Sequence, residues 1–193
     1  MNTDSLGFIF LNAALINNFV LSLFLGICPF LGISGNRSTA LRMGVAVTFV
    51  MLVSSAAAYG IHEMLAWLDA LYLQLIAFIA VIASAVQLVE MFIKKFSPAL
   101  FRSLGVYLPL ITTNCAILGV ALFQTLRSYG LLQSLVFALG AGVGFTLAIV
   151  IMAGLRQELD LADVPKLVRG AGLTLMIAGV LSLGFMGFAG LGG

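Results

Sequence analysis

The chain has 193 residues, 62% of them hydrophobic and only 8% charged, with a mean hydropathy of +1.20 and a formal net charge of +2. A soluble domain carries about a quarter of its residues charged, so no water-soluble core could hide this much apolar surface. No hydrolase triad, phosphate loop or nucleic-acid surface stands out, and the composition places the chain in lipid.

A span takes roughly 20 apolar residues, and six can be counted, at about 7–33, 41–60, 71–93, 103–125, 131–154 and 170–190. Backbone groups in hydrocarbon must be satisfied within the segment, so the spans are helices. The start, "MNTDSLGFIF", lacks a basic n-region and leads into a stretch long enough to cross, which reads as a span and not a signal peptide. Span 1 holds Asn12, Asn17 and Asn18 and then "LGICPFLG", where Cys28 is flanked by Gly26, Pro29 and Gly32. Span 2 ends in "GIHEMLAWLD", whose His62 lies beside Glu63 and reads as an interfacial residue in preference to a ligand. Near the end of span 3, in "QLVEMFIKK", Glu90 is a candidate for ion coupling, since an intramembrane carboxylate is by default a functional candidate. Lys94 four residues on offers the plainer reading of a helical pair.

Span 4 contains Pro109 and then Thr112, Thr113, Asn114 and Cys115 side by side. Proline and glycine weaken helices, so the first span of each half should be broken inside the membrane. Such breaks are tolerated only where protein or a water-lined cavity surrounds them. Asn and Thr there could equally be interhelical glue. "GAGVG" at 140–144 in span 5 reads as close helix packing, while Asp160, Asp163 and Pro165 fall in the following loop, against solvent or neighbouring proteins.

Basic residues set the orientation. Arg37, Arg42, Lys94, Lys95, Arg102, Arg156, Lys166 and Arg169 follow odd-numbered spans, and only Arg127 falls on the other side. The positive-inside rule then puts the odd-numbered loops in the cytoplasm and both termini outside. Three spans precede the Lys94–Arg102 loop and three follow it. The 193 residues thus form one membrane domain whose halves, about 1–96 and 97–193, are expected to be inverted three-helix repeats. A shift of 96 residues pairs Asn18 with Asn114, Ser38 with Ser134, Gly44 with Gly140, Val47 with Val143 and Phe49 with Phe145.

The two cysteines occupy the two broken spans. Each could be a small buried hydrophobe, the pair could form a disulfide, or they could be half of a metal site whose other half comes from a similarly built partner. No CxxC spacing decides among these.

The stretches "NNFVLSLFLGICPFLGIS" (17–34), "LGVYLPLITTNCAILGVAL" (104–122), "ADVPKLVRG" (162–170) and "LSLGFMGFAGL" (181–191) resemble the A subunits of the Rnf electron-transport complexes. That family is related to the E subunits of the sodium-pumping NADH:quinone oxidoreductases, and "CPF" and "TTNCA" resemble the Rnf branch more closely. The resemblance implies a pair of homologous six-helix subunits inserted in opposite orientations, sharing one intramembrane [2Fe–2S] cluster, with Cys28 and Cys115 as this chain's ligands. It also implies a bacterial cytoplasmic-membrane complex whose other subunits carry flavins and iron–sulfur clusters. That complex moves electrons between ferredoxin and NAD while translocating sodium or protons. Thr112, Thr113 and Asn114 are then expected to support the cluster's surroundings. A secondary transporter with inverted repeats is the chief rival.

Overall fold

The computed structural model describes residues 5–33, 37–68, 71–96, 111, 114–161 and 170–189, and every regular element among them is helical. Ser5 caps the first helix, α1 (Leu6–Leu11), by accepting a hydrogen bond from Phe8 N. The helix widens into a π-helical turn over Asn12–Ile16 and stops, with Asn17 N donating to Asn12 O at 2.7 Å and the Asn17 side chain to Asn12 Oδ1 at 2.7 Å. Asparagine side chains compete with helical backbone bonds, which is why the cluster of three marks the end. Irregular chain follows until α2 (Ile27–Ile33) resumes. Pro29 sits in the first turn of α2, where the N–H groups lack an intrahelical partner, so the ring starts this half-helix and does not kink it. The expected break in span 1 is present.

Then come α3 (Arg37–Trp67), a 3₁₀ turn at Leu71–Leu73, α4 (Gln74–Phe96), α5 (Cys115–Leu126), α6 (Leu131–Leu161) and α7 (Ala171–Ala189). Three segments, Arg37–Trp67, Gln74–Phe92 and Leu131–Leu159, are long and apolar enough to cross a membrane. The expected spans at 41–60, 71–93, 131–154 and 170–190 fall on α3, α4, α6 and α7. Span 4 is described from Asn114 onward, with Ile111 before it; Pro109, Thr112 and Thr113 lie outside the described residues, as do Asp163 and Pro165.

At the centre α3 and α6 pack antiparallel. A Cβ on Gly44 would come within 2.8 Å of the Thr146 side chain, and one on Gly142 within 2.8 Å of the Thr48 side chain. Each threonine hydroxyl turns back onto its own helix: Thr48 Oγ1 donates to Gly44 O at 2.7 Å, and Thr146 Oγ1 to Gly142 O at 2.8 Å. Small residues allow backbones this close, and threonine can satisfy itself locally. The crossing is reciprocal, with Gly44 matched to Gly142 and Thr48 to Thr146, 98 positions apart. The packing register thus differs by two residues from the 96-residue shift that pairs Gly44 with Gly140. Gly140 instead faces α1, where a Cβ would approach Phe10 O at 2.7 Å.

Phe30, Phe78, Phe145, Met43, Met51 and Met152 fill the interior. Outward positions of α4 and α7 carry Ile76, Leu88, Val180 and Leu183, all well exposed. That inversion of the soluble pattern is what a lipid-facing surface requires.

Candidate functional site

The break between α1 and α2 leaves backbone groups that must find partners inside the membrane, and the structure shows where they go. Asn18 is fully buried. Its Oδ1 accepts from Val20 N at 3.0 Å and Leu21 N at 3.4 Å, and its Nδ2 donates to Ala14 O at 3.1 Å and Gly144 O at 2.9 Å. Ser22 N donates to Asn18 O and Leu25 N to Phe19 O, both at 2.8 Å. Leu21 O accepts from Ser182 Oγ of α7 at 2.6 Å. Phe19 seals the break, edge-on to Phe123 of α5 and Phe137 of α6 with centroids 5.8 and 5.7 Å apart. Asn12, Asn17 and Asn18 thus have a structural role, as interhelical and intrasegment glue.

One backbone donor of the break is spent differently. Gly26 N donates to Cys115 Sγ at 2.9 Å. Phe24 and Gly26 hold left-handed backbone, with φ of 54° and 80°, and that twist turns the Gly26 amide toward α5. Glycine is required: a Cβ there would lie 2.8 Å from Phe145 Cε2 and 3.2 Å from Asn114 Oδ1. Cys28 follows two residues later in the chain, so the backbone that meets the Cys115 sulfur is the segment that leads into Cys28. Both cysteines are free and exposed.

Cys115 opens α5 and Asn114 caps it, its Oδ1 accepting from Ala116 N at 3.0 Å. Asn114 itself is 4% exposed, and its Nδ2 has no hydrogen-bond partner among the described residues. Asn18 and Asn114 therefore perform the same local act, each accepting from the amide two residues on at a break. Glu90 stands half-buried on α4, whose last turn carries Lys94 and Lys95. It belongs to an element separate from both cysteine-bearing segments.

Among the described residues no group of three or more His, Cys, Asp or Glu side chains converges. The donor set here is two thiols at an exposed edge with an amide directed at one sulfur. That set fits half of a four-thiolate iron–sulfur site and does not fit a complete one. Sequence reading missed Ser182 and the Gly26 amide. A single serine inside the very apolar run 171–189 was a usable signal for the first; the second has none, because any backbone amide looks alike in sequence.

An interrupted helix in a bundle with apolar outward faces, among helices long and apolar enough to cross a membrane, defines a polytopic membrane protein. Residues 6–192 match the family model described as Rnf-Nqr subunit, membrane protein. The chain belongs to this family of integral membrane subunits. It is 55% identical over 186 residues, 95% of each chain, to a protein of Syntrophotalea carbinolica named as the A subunit of an ion-translocating oxidoreductase complex. It is 54% identical over 187 residues, 95% of this chain and 96% of the other, to one of Acetobacterium woodii named as the A subunit of a Na(+)-translocating ferredoxin:NAD(+) oxidoreductase complex. A third relative, from Alkalilimnicola ehrlichii, bears the first name and is 52% identical over 96% of this chain and 97% of its own.

Proposed function

We propose that this chain is the A-type membrane component of a redox-driven ion-translocating ferredoxin:NAD oxidoreductase. In this reading Cys28 and Cys115 supply half the ligands of an intramembrane [2Fe–2S] cluster. A homologous six-helix protein of opposite orientation supplies the other half, and further subunits carry flavins and iron–sulfur clusters. The supporting observation is that the Gly26 amide, two residues before the exposed Cys28, donates to the sulfur of the exposed Cys115 at 2.9 Å. Bound there, the cluster supplies one-electron transfer. The chain's own residues do the rest. The left-handed turn at Phe24–Gly26 presents an N–H to sulfur, Asn114 fixes the start of α5 and hence the direction of the Cys115 side chain, and Phe145 backs Gly26 from the core.

In this reading Thr112, Thr113 and Asn114 belong to the cluster's surroundings, with Asn114 Nδ2, buried without a partner among the described residues, as an available donor. Orientation follows the basic-residue bias: both termini outside the bacterial cytoplasmic membrane, with Arg127 on the outer side. The names of the relatives favour the Rnf branch over the quinone-reductase branch.

The test is chemical. Iron, acid-labile sulfide and the low-temperature paramagnetic signal of the reduced cluster are measured on the purified complex, with Cys28→Ala and Cys115→Ala made singly. Each change is expected to abolish the signal that belongs to this cluster while those of the soluble-side centres persist. Retention of that signal in either variant overturns the ligand assignment.

A further inference from the structure

Away from the cysteines, where α3 ends and α5 turns into α6, lies a cavity of about 170 Å³ lined by Tyr59, His62, Glu63, Gln124, Thr125, Ser128, Tyr129 and Gly130. Glu63, Ser128 and Gly130 are exposed, so the mouth opens at the surface, and Gln124, 2% exposed, forms the floor. That floor is the meeting point of three helices. Gln124 Oε1 accepts from Ser55 Oγ at 2.5 Å, Gln124 Nε2 donates to Ser55 O at 3.0 Å, and Ser55 Oγ also reaches Ser134 O at 3.2 Å. Its wall includes His62, whose Nδ1 is buried without a hydrogen-bond partner among the described residues. Ser128, at φ 51°, is the left-handed residue that ends α5 just past its C-cap, with Tyr129 N donating to Gln124 O at 3.0 Å.

We infer that this vestibule is a transit site for a small monovalent cation, sodium or proton, at the membrane face that the basic-residue bias places outside. The inference rests on the ion-translocating function proposed above. The lining is rich in oxygen, from a carboxylate, a carboxamide, hydroxyls and phenols, which suits a hard cation and its waters. Opposed charges stand at the lining and next to it, Glu63 within it and Arg127 beside the lining Tyr129. Glu63 attracts a cation, and Arg127 repels it from beside Tyr129, to whose Oη its Nη1 donates at 3.1 Å while its guanidinium rests 5.8 Å from the centre of the Phe137 ring. Such balance keeps affinity low, and an ion in passage must be bound weakly enough to leave. His62 is the remaining titratable side chain of the lining besides the two tyrosines.

The test uses the whole complex reconstituted in vesicles, with Glu63→Gln and Arg127→Gln made separately; both residues are exposed. The quantity read is the cation concentration on the vestibule side giving half of its maximal effect on ferredoxin–NAD turnover. Sodium is varied at fixed pH in one arm and protons at fixed sodium in the other. Glu63→Gln is expected to raise that concentration, and Arg127→Gln to lower it, by about tenfold each, the equivalent of one well-placed charge. The arm that shifts identifies the cation. No shift in either arm, shifts of the same sign, or a wild-type complex indifferent to both cations on that side overturns the inference. The paramagnetic signal of the Cys28–Cys115 cluster separates the two readings. Its absence from the wild-type complex sinks the function proposed above, whereas its presence with unshifted cation dependence sinks only the vestibule.

Discussion

Gly26 carries two burdens at once, and a single methyl group would compromise both. At φ 80° an L side chain costs roughly 1–2 kcal/mol, and the added Cβ would press on Phe145 Cε2 at 2.8 Å. Gly26→Ala should therefore destabilise the protein by about 2 kcal/mol, seen as a lower midpoint of thermal unfolding, because the ring can yield but the backbone cannot relax without cost. Relaxation would also draw the amide from Cys115. Hydrogen bonds to sulfur stabilise the more negative, reduced state of an iron–sulfur centre, so the midpoint potential of the proposed cluster should become more negative in a redox titration. Asn114→Leu is the companion change. It removes an N-cap worth about 1 kcal/mol and should move the potential as well, whereas Asn114→Asp keeps the capping oxygen and should preserve the stability of α5. Potentials that match wild type in both Gly26→Ala and Asn114→Leu would remove these residues from the cluster's surroundings. At this scale the sequence was partly readable: Asn114 and Cys115 stand out because polar and reactive groups are conspicuous in an apolar span. The amide of Gly26 does not, since its role exists only once left-handed backbone has turned it toward α5.

Among the helices, the crossing of α3 and α6 decides the shape of the bundle. Gly44 and Gly142 meet threonines of the opposite helix closely enough that any side chain would force the axes apart. Gly142→Val should cost about 1–3 kcal/mol through overpacking and lower the temperature at which the detergent-solubilised protein loses structure. Gly60→Ala, on the same α3 but with open space around it, should be neutral or slightly stabilising, since alanine is the better helix former. Equal effects from the two would mean that the crossing is held by lipid and not by these contacts. The run "GAGVG" announced close packing correctly: Gly140, Gly142 and Gly144 each have a neighbour within 2.7 Å of a would-be Cβ. The register was not readable. Identity matching at a 96-residue shift rewards like letters, and in so biased a composition these recur by chance, whereas the packing pairs glycine with threonine at 98. Equally hidden were the long-range bonds of Asn18 to Gly144 and Ser182 to Leu21, because the serine or asparagine that will satisfy a distant carbonyl looks the same as one that satisfies its own turn.

Over the whole molecule, one boundary separates what the chain completes from what it leaves open. The outward sides of α4 and α7 present mainly apolar side chains such as Ile76, Leu88, Val180 and Leu183, and the exposed Ser84 donates to Ala80 O of its own helix, so solvation by acyl chains suffices over most of that surface. The cysteine edge is another matter. Thiols exposed beside a bent backbone gain nothing from lipid, and two sulfurs cannot close a coordination shell that takes four. Because ligation free energy enters only when all donors are present, the half-site should bind iron too weakly to survive purification. The protein produced alone should thus contain no stoichiometric iron or acid-labile sulfide. Both should appear when it is produced with the homologous, oppositely oriented subunit proposed above, together with a one-to-one association that resists detergent. Mutating either cysteine here should strip the metal from the pair while leaving some of the association intact, since helix packing contributes independently of ligation. Iron retained by the lone protein would mean that its own residues finish the site, and the reason for an oppositely oriented neighbour at this edge would be gone.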